Sequence, residues 1–329
     1  MWFEKLMGFQ EESPENVRSN IAINGNQLIS KVTGDSFQYG VLGLPSLAEL
    51  RQQVDVSRYD NRLTIKEIVG NVQHLHQDSG NAGALFQAAS QFNLLEMASP
   101  SVIPESGIDR YEHDHTQGPA CAIACGAGTI YRNYFVNVKG RQGQTADNQI
   151  DCLADIATAL DNESLKLWTM QNGYVKANEV GLYHINDHLN QLDAPAYDEL
   201  KSKLRIGIQW NTEVTLAGGG HQVTQAYCSA LPVAYNRHDA HLWEKFARMI
   251  LEATYEATVL AGLINYQQNG NKDLFLTLVG GGAFGNRMSW ILESLESVIR
   301  KYQNLPLALK VVSYGSSDAT VNKFTKSFN

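Results

Sequence analysis

The sequence reads as one three-layer α/β domain with a mixed central sheet and a helical insert. Three observations predict it. DLFLTLV runs into Gly280-Gly281-Gly282, a helical SWILESLESVIRKY follows, and LALKVVSYG closes the unit, which is the order of a βαβ crossover. LWEKFARMILEATYEATVLAGLI repeats its apolar residues at three and four, as a helix lying on a core does. Short β-branched or apolar runs, each about one strand long, recur before them. With 329 residues, 43% of them hydrophobic, the chain has the material for a single large core.

Taken in order, residues 1–55 carry few periodic signals, because Gly25, Gly34, Gly40 and Gly43 break short apolar runs, and they read as an irregular N-terminal cover. Residues 56–329 form the domain proper. RLTIKEIVGNVQHLH and GNAGALFQAASQFNLLEM each hold a strand-like run, and HTQGPACAIACGAGTIYRNYF begins a helix with Pro119 in its first turn. Residues 136–149 read as an exposed polar loop. A helical insert spans about 150–203 and includes NQIDCLADIATALDNESLKLW. LRIGIQW and QAYCSALPVAY are strands flanking the cluster Gly218-Gly219-Gly220.

Charge and composition exclude several classes. The chain carries 26 Lys and Arg against 34 Asp and Glu, a formal charge of −8, and has no basic run, so no nucleic-acid partner is expected. No stretch approaches the roughly 18 to 20 apolar residues of a membrane span. MWFEKLMGFQEESPEN turns acidic at once and shows no secretory pattern. Cys121, Cys125, Cys152 and Cys228 contain no CxxC pair, so a reducing, cytoplasmic setting is expected, or the host cytosol for a secreted effector.

The piece LTLVGGGAFGN sends an apolar strand straight into glycines and then a helix, an arrangement in which backbone amides converge on an anion without a Cβ in the way. A bland tight turn is the competing reading. Three earlier parts stand in order before it: Gly70-Asn71-Val72 at a strand end, the turn Ala89-Ser90-Gln91-Phe92-Asn93, and Thr116-Gln117-Gly118-Pro119 ahead of a helix. This succession, closed by Gly282-Ala283-Phe284-Gly285, resembles the macrodomain superfamily on its poly(ADP-ribose) glycohydrolase side. In detail it is similar to the MavL-type ADP-ribosylhydrolase branch. The resemblance covers roughly residues 63–318.

The resemblance implies a macrodomain-like fold in which Asn71 and Val72 face adenine and Asn93 faces the distal ribose. Thr116, Gln117, Gly118 and Pro119 would form one diphosphate loop, and Gly281, Gly282, Ala283, Phe284, Gly285 and Asn286 the other. Tyr314 stands where the family often presents an aromatic to the adenosine; a strand-end core residue is the alternative. Asn71 replaces the usual Asp, and its amide oxygen can still accept a hydrogen bond. The glutamate of the glycohydrolase Gln-Glu-Glu triplet is not carried over to any residue.

The implied activity is removal of ADP-ribose from a modified protein side chain, with an arginine linkage and ubiquitin as carrier on the finer likeness. A poly(ADP-ribose) glycohydrolase and a non-catalytic reader are the alternatives. Hydrolysis at an anomeric carbon calls for a carboxyl group beside the scissile bond, with no metal or cofactor. Glu213 at a strand end is the leading candidate, followed by Asp114 before the first loop and Glu96 after the second strand. The pair His184 and His188 in HINDH lacks the glutamate of a zinc-protease helix and reads as a solvated helix end. His113 and His115 read as a polar loop, Cys228 as a buried structural thiol, and Trp210 and Phe284 as either ligand-stacking or core aromatics.

Overall fold

The computed structural model describes residues 1–328. Its first 55 residues are regular, contrary to the sequence expectation. Helices α1 (Trp2–Met7) and α2 (Pro14–Asn20) lead into a meander of β1 (Ile21–Asn24), β2 (Gln27–Ser30) and β3 (Ser36–Gln38). Strand β4 (Val41–Gly43) joins the edge of the central sheet. Helix α3 (Leu47–Gln53) opens with a capping box in which Ser46 Oγ accepts from Glu49 N and Glu49 Oε2 accepts from Ser46 N. These elements are only three to seven residues long, too short for hydrophobic periodicity to register.

The strand-like runs after Leu63 become β5 (Thr64–Val69), a short α4 (Val72–Gln77) capped by Asn71, and β6 (Leu85–Ala89). Helices α5 (Gln117–Ala124) and α6 (Gly126–Ile130) follow, with Pro119 in the first turn of α5. Residues 136–149 hold the small hairpin β7 (Asn137–Val138) and β8 (Arg141–Gln142), and they are less exposed than expected. Gln144 is buried there, its Nε2 donating to the carbonyls of Asn93 and Arg132. The insert contains α7 (Ala154–Ala159), α8 (Asn162–Leu165), an unexpected hairpin of β9 (Trp168–Gln171) and β10 (Tyr174–Ala177), then α9 (Glu179–Gln191) and α10 (Ala194–Ser202). The chain closes with β11 (Gly207–Glu213), β12 (Gln222–Cys228), α11 (Ala240–Asn269), β13 (Asp273–Leu276), α12 (Met288–Lys301), β14 (Ala308–Ser313) and α13 (Ala319–Lys326).

The seven-stranded sheet has the order β4-β11-β12-β6-β13-β14-β5. Five strands, β12 to β5 in that order, are parallel, β11 runs antiparallel to them, and the edge strand β4 pairs antiparallel with β11, so the sheet is mixed as expected. The α12 crossover joins β13 to its parallel neighbour β14, the predicted βαβ unit. Strand alternation shows the three layers. On one face Gln87 and Thr224 bond Thr258 and Asn265 of α11, while on the other Phe86 stacks on His76 of α4 and Gln225 bonds the Cys121 carbonyl of α5. Burial lowers His76 to about 4, so a neutral ring sits in the core. Among the described residues no helix is long and apolar enough to cross a membrane.

Candidate functional site

All five parallel strands end at one edge of the sheet, the usual place for a ligand cleft in an open α/β fold. A cleft of two lobes opens there, and Asp114, Thr116, Gln117 and Thr277 border both. The inner lobe runs from Ala89 and Glu96 across to Gly280, Gly282, Ala283 and Phe284. Gly70, Asn71, Val72 and Tyr314 stand on the outer lobe, at the ends of β5 and β14.

The floor is set by Gln117. Its Oε1 accepts from Ala89 N at 2.8 Å and its Nε2 donates to the Gln87 carbonyl at 2.8 Å, which locks the start of α5 to the end of β6. The first amides of a helix have no intrahelical acceptor, and because Pro119 has no N–H the orphan donors of α5 are those of Gln117 and Gly118. Gly118 is required by close approach, since a Cβ there would sit 2.0 Å from the Ala89 oxygen and 2.2 Å from Glu96 Oε2. Asp114 closes the turn before the helix by accepting from Thr116 N at 2.9 Å and Thr116 Oγ1 at 2.7 Å.

The facing wall is the glycine loop between β13 and α12. Gly280 has φ +76, and a Cβ there would meet Ala230 Cβ at 2.4 Å. Asn286 holds the loop from behind, with its amide bonded to the Gly280 oxygen and its Nδ2 to the Leu231 oxygen. Gly281 N and Gly285 N are also used within the loop. The amides of Gly282, Ala283 and Phe284 take no acceptor among the described residues, and Gly282 has nothing within 4 Å of its Cβ position. Three free amides on a glycine turn, with a helix N-terminus in the same lobe, have the chemistry to bond anionic oxygens.

The three candidate carboxyl groups part company. Glu96 lines the inner lobe at 5% exposure. Burial pushes its carboxyl well above the usual range, with Ser90 and Arg132 opposing the rise and the charge of Asp114 adding to it, so the neutral form is favoured. Its Oε1 makes no hydrogen bond among the described residues, while its backbone N–H donates to the Tyr111 hydroxyl at 2.9 Å. Asp114 is half-buried where the lobes meet. Glu213 is absent from both lobes, and the expectation that it borders the cleft is corrected. Because β11 runs antiparallel, Glu213 pairs with Gln222 at the start of β12, the opposite edge of the sheet, and its Oε2 accepts from Gln38 N at 2.8 Å.

Asn93 is corrected in the same way. It is fully buried, with Oδ1 accepting from Leu95 N and Nδ2 donating to Gln149, so it shapes the loop behind Glu96 and does not line the cleft. Gly281, Gly285 and Asn286 form the back of the glycine loop, outside the lining. Asn71 and Val72 line the outer lobe, with Asn71 Oδ1 also accepting from Gln73 N. Tyr314 is 80% exposed on that rim, so the core alternative falls. Phe284 lines the inner lobe, whereas Trp210 lies on β11 beside Val41 of β4. Cys228 is a buried thiol pushed up to about 12. His184 and His188 line a separate groove on α9, and no group of three or more His, Cys, Asp or Glu among the described residues is arranged to hold a metal ion.

Sequence reasoning missed several lining residues. Tyr174 of the insert and Tyr235 meet the expected Phe284 in an aromatic cluster with centroids 5.1 to 5.6 Å apart. Trp2 and Lys5 of α1 line the outer lobe. No local motif marks Tyr174, Tyr235, Trp2 or Lys5, since each arrives from a distant segment. A Gln10-Glu11-Glu12 run was also passed over; Glu11 lies outside the cleft and accepts from Ile108 N, Asp109 N and the Tyr134 hydroxyl.

Fold and cleft define a three-layer α/β protein with a two-lobed cleft at the carboxyl edge of a mostly parallel sheet. No family model and no curated protein matches the chain. Among solved structures it is similar to the poly(ADP-ribose) glycohydrolase of Thermomonospora curvata, at 10% identity and a TM-score of 0.46, over 96% of each chain. It is also similar to that of Deinococcus radiodurans in complex with ADP-ribose, at 10% identity and a TM-score of 0.46, over 87% of this chain and 91% of that one. The Thermomonospora enzyme bound to the inhibitor ADP-HPD overlays at 12% identity and a TM-score of 0.44, over 95% of this chain and 94% of that one.

Proposed function

We propose that the cleft binds ADP-ribose and that the protein hydrolyses the glycosidic bond joining it to a modified protein side chain. The observation that carries this reading is Glu96, a carboxyl buried in the same lobe as the free amides of Gly282 to Phe284, where burial favours its neutral form. A carboxylic acid held neutral at pH 7 is the group that protonates a departing atom. In this mechanism Glu96 gives its proton to the leaving side chain as the anomeric C–N or C–O bond breaks. Water adds to the oxocarbenium-like carbon and its proton passes to Asp114, the second carboxyl of the lobe. The free amides and the α5 N-terminus hold the diphosphate, so the charge of the ligand is spent on binding and not on the reacting centre.

The macrodomain resemblance supports the same ligand, with the adenosine end against Asn71, Val72 and Tyr314. The finer reading, an arginine linkage on a carrier such as ubiquitin, is supported by the MavL-type likeness in sequence. Four free, buried cysteines support a reducing compartment, either the cytoplasm or a host cytosol.

The test is to incubate the protein with Arg-, Ser- and Glu-linked mono-ADP-ribosyl substrates and with the polymer, and to follow released ADP-ribose. Release from an arginine-linked protein is the expected result. Release from the polymer alone makes the protein a poly(ADP-ribose) glycohydrolase, and binding without release makes it a reader.

A further inference from the structure

We infer that helix α1 is part of the ligand site and that Lys5 is its cation, engaging a phosphate of a bound nucleoside diphosphate. The inference rests on the ADP-ribose reading above and deepens it by assigning the charge that a dianionic ligand meets.

Lys5 is the one lysine or arginine among the described residues that line the two lobes. Carboxyl groups are not scarce there, since Glu96, Glu112 and Asp114 all border the cleft. A diphosphate entering such a cleft meets repulsion that neutral amides alone do not cancel. The side chain of Lys5 forms no ion pair and no hydrogen bond among the described residues, so its ammonium is uncommitted. It stands three residues after Trp2, on the same helix face, and both line the outer lobe with Thr116 and Gln117, where the helix amides of α5 begin.

The helix that carries Lys5 is fixed in place. Trp2 Nε1 donates to the Ile108 oxygen at 3.1 Å, Trp2 N to Glu112 Oε2 at 2.7 Å and Phe3 N to Asp109 Oδ1 at 3.2 Å. Phe3 and Met7 are fully buried in a cluster with Leu95, Met97, Ile108 and Tyr111. Beyond the helix, Glu11 accepts from Ile108 N and Asp109 N. A helix of six residues has no stability of its own, so these ties decide where Lys5 is held.

The experiment is calorimetric titration of ADP-ribose and of uncharged adenosine into the wild-type protein, Lys5→Gln, Lys5→Glu and Lys5→Arg. For ADP-ribose, Lys5→Gln should weaken binding about fivefold to tenfold and Lys5→Glu further, while Lys5→Arg stays within about twofold. Adenosine affinity should be unchanged in all three. Raising salt from about 50 mM to about 300 mM should weaken ADP-ribose binding more for the wild type than for Lys5→Gln. Wild-type binding of ADP-ribose with Lys5→Glu unchanged overturns this inference alone. Equal loss of adenosine and ADP-ribose in Lys5→Gln also overturns it, because the lobe and not the charge would then be at fault. No binding of ADP-ribose by the wild type overturns the reading of the site, and this inference with it.

Discussion

The two walls of the cleft are built on different principles. The glycine wall, residues 277–287, hangs directly from the sheet: it leaves β13, turns through Gly280 at φ +76 and is stapled by Asn286 before α12. The acid wall, residues 90–116, contains no strand and only two short 3-10 helices, Pro104–Ser106 and Asp109–His113. It is held by parts far away in sequence. Glu11 grips Ile108 and Asp109, Tyr111 grips Glu96, Tyr174 donates to the Met97 oxygen, and Gln144 donates to the Asn93 oxygen. Leu94 even takes φ +63, a costly conformation for leucine, next to this carboxyl. A sheet-borne wall can present amides with local chemistry alone, whereas burying an acid so that its neutral form is favoured takes surroundings assembled from several segments.

If that division is right, the walls fail differently, and the largest effect belongs to the acid wall. Glu96→Gln preserves volume but removes the proton, so single-turnover hydrolysis should fall about 100-fold or more while ADP-ribose affinity moves less than about tenfold. Full activity in this variant would hand the chemistry to Asp114, which Asp114→Asn checks by the same assay.

Next in size is the pair of glycines at which the walls close on the ligand. Gly118→Ala drives a Cβ into the Ala89 carbonyl and Glu96 Oε2, so it should cost about 1 to 3 kcal/mol in denaturant unfolding and disturb turnover as well. Gly282→Ala, with nothing within 4 Å of its Cβ position, should leave unfolding within about 0.5 kcal/mol and weaken ADP-ribose binding. Equal destabilisation by the two would dissolve the distinction drawn here.

The acid wall also has a pH signature. In the unfolded chain Glu96 ionises near 4.5, whereas in the fold burial holds the proton to a higher pH. Between those two values the unfolded state binds fewer protons, so stability falls as pH rises through that window, and Glu96→Gln lacks this slope. Urea midpoints of the two proteins, followed from about pH 4 to about pH 8, should diverge against the wild type. Parallel curves would mean that Glu96 is already ionised in the fold. Turnover should drop on the alkaline side for the same reason. The smallest effect is Glu213→Gln, which keeps an amide oxygen for Gln38 N and should change turnover by less than about twofold and stability by less than about 0.5 kcal/mol.

These walls also mark how much was legible in the sequence. Strand, glycine loop, helix and strand from Asp273 to Ser313 were readable because a strand followed by glycines and an amphipathic helix is a local pattern with one stable arrangement. The start of α5 was readable from Gly118 and Pro119. Glu213 was misplaced because a strand's polarity is not a local property. LRIGIQW reads identically whether it runs parallel or antiparallel, and only its pairing with β12 puts Glu213 at the far edge. Asn93 was misread because a turn-ending asparagine looks alike whether it faces a ligand or, as here, bonds Leu95 N and Gln149.

The sequence by itself determined the fold class, the mixed sheet's βαβ end and the glycine turn that follows β13, since those depend on side-chain period, glycine and proline acting over a few residues. Only the tertiary structure decided which carboxyls border the cleft, that Glu96 is buried there, and that Trp2, Lys5 and Tyr174 share it. Burial and electrostatic environment are sums over every segment that surrounds a group, and Glu96 draws its surroundings from the N-terminal helix and loops, the segments before α5 and the insert, stretches that no local pattern joins.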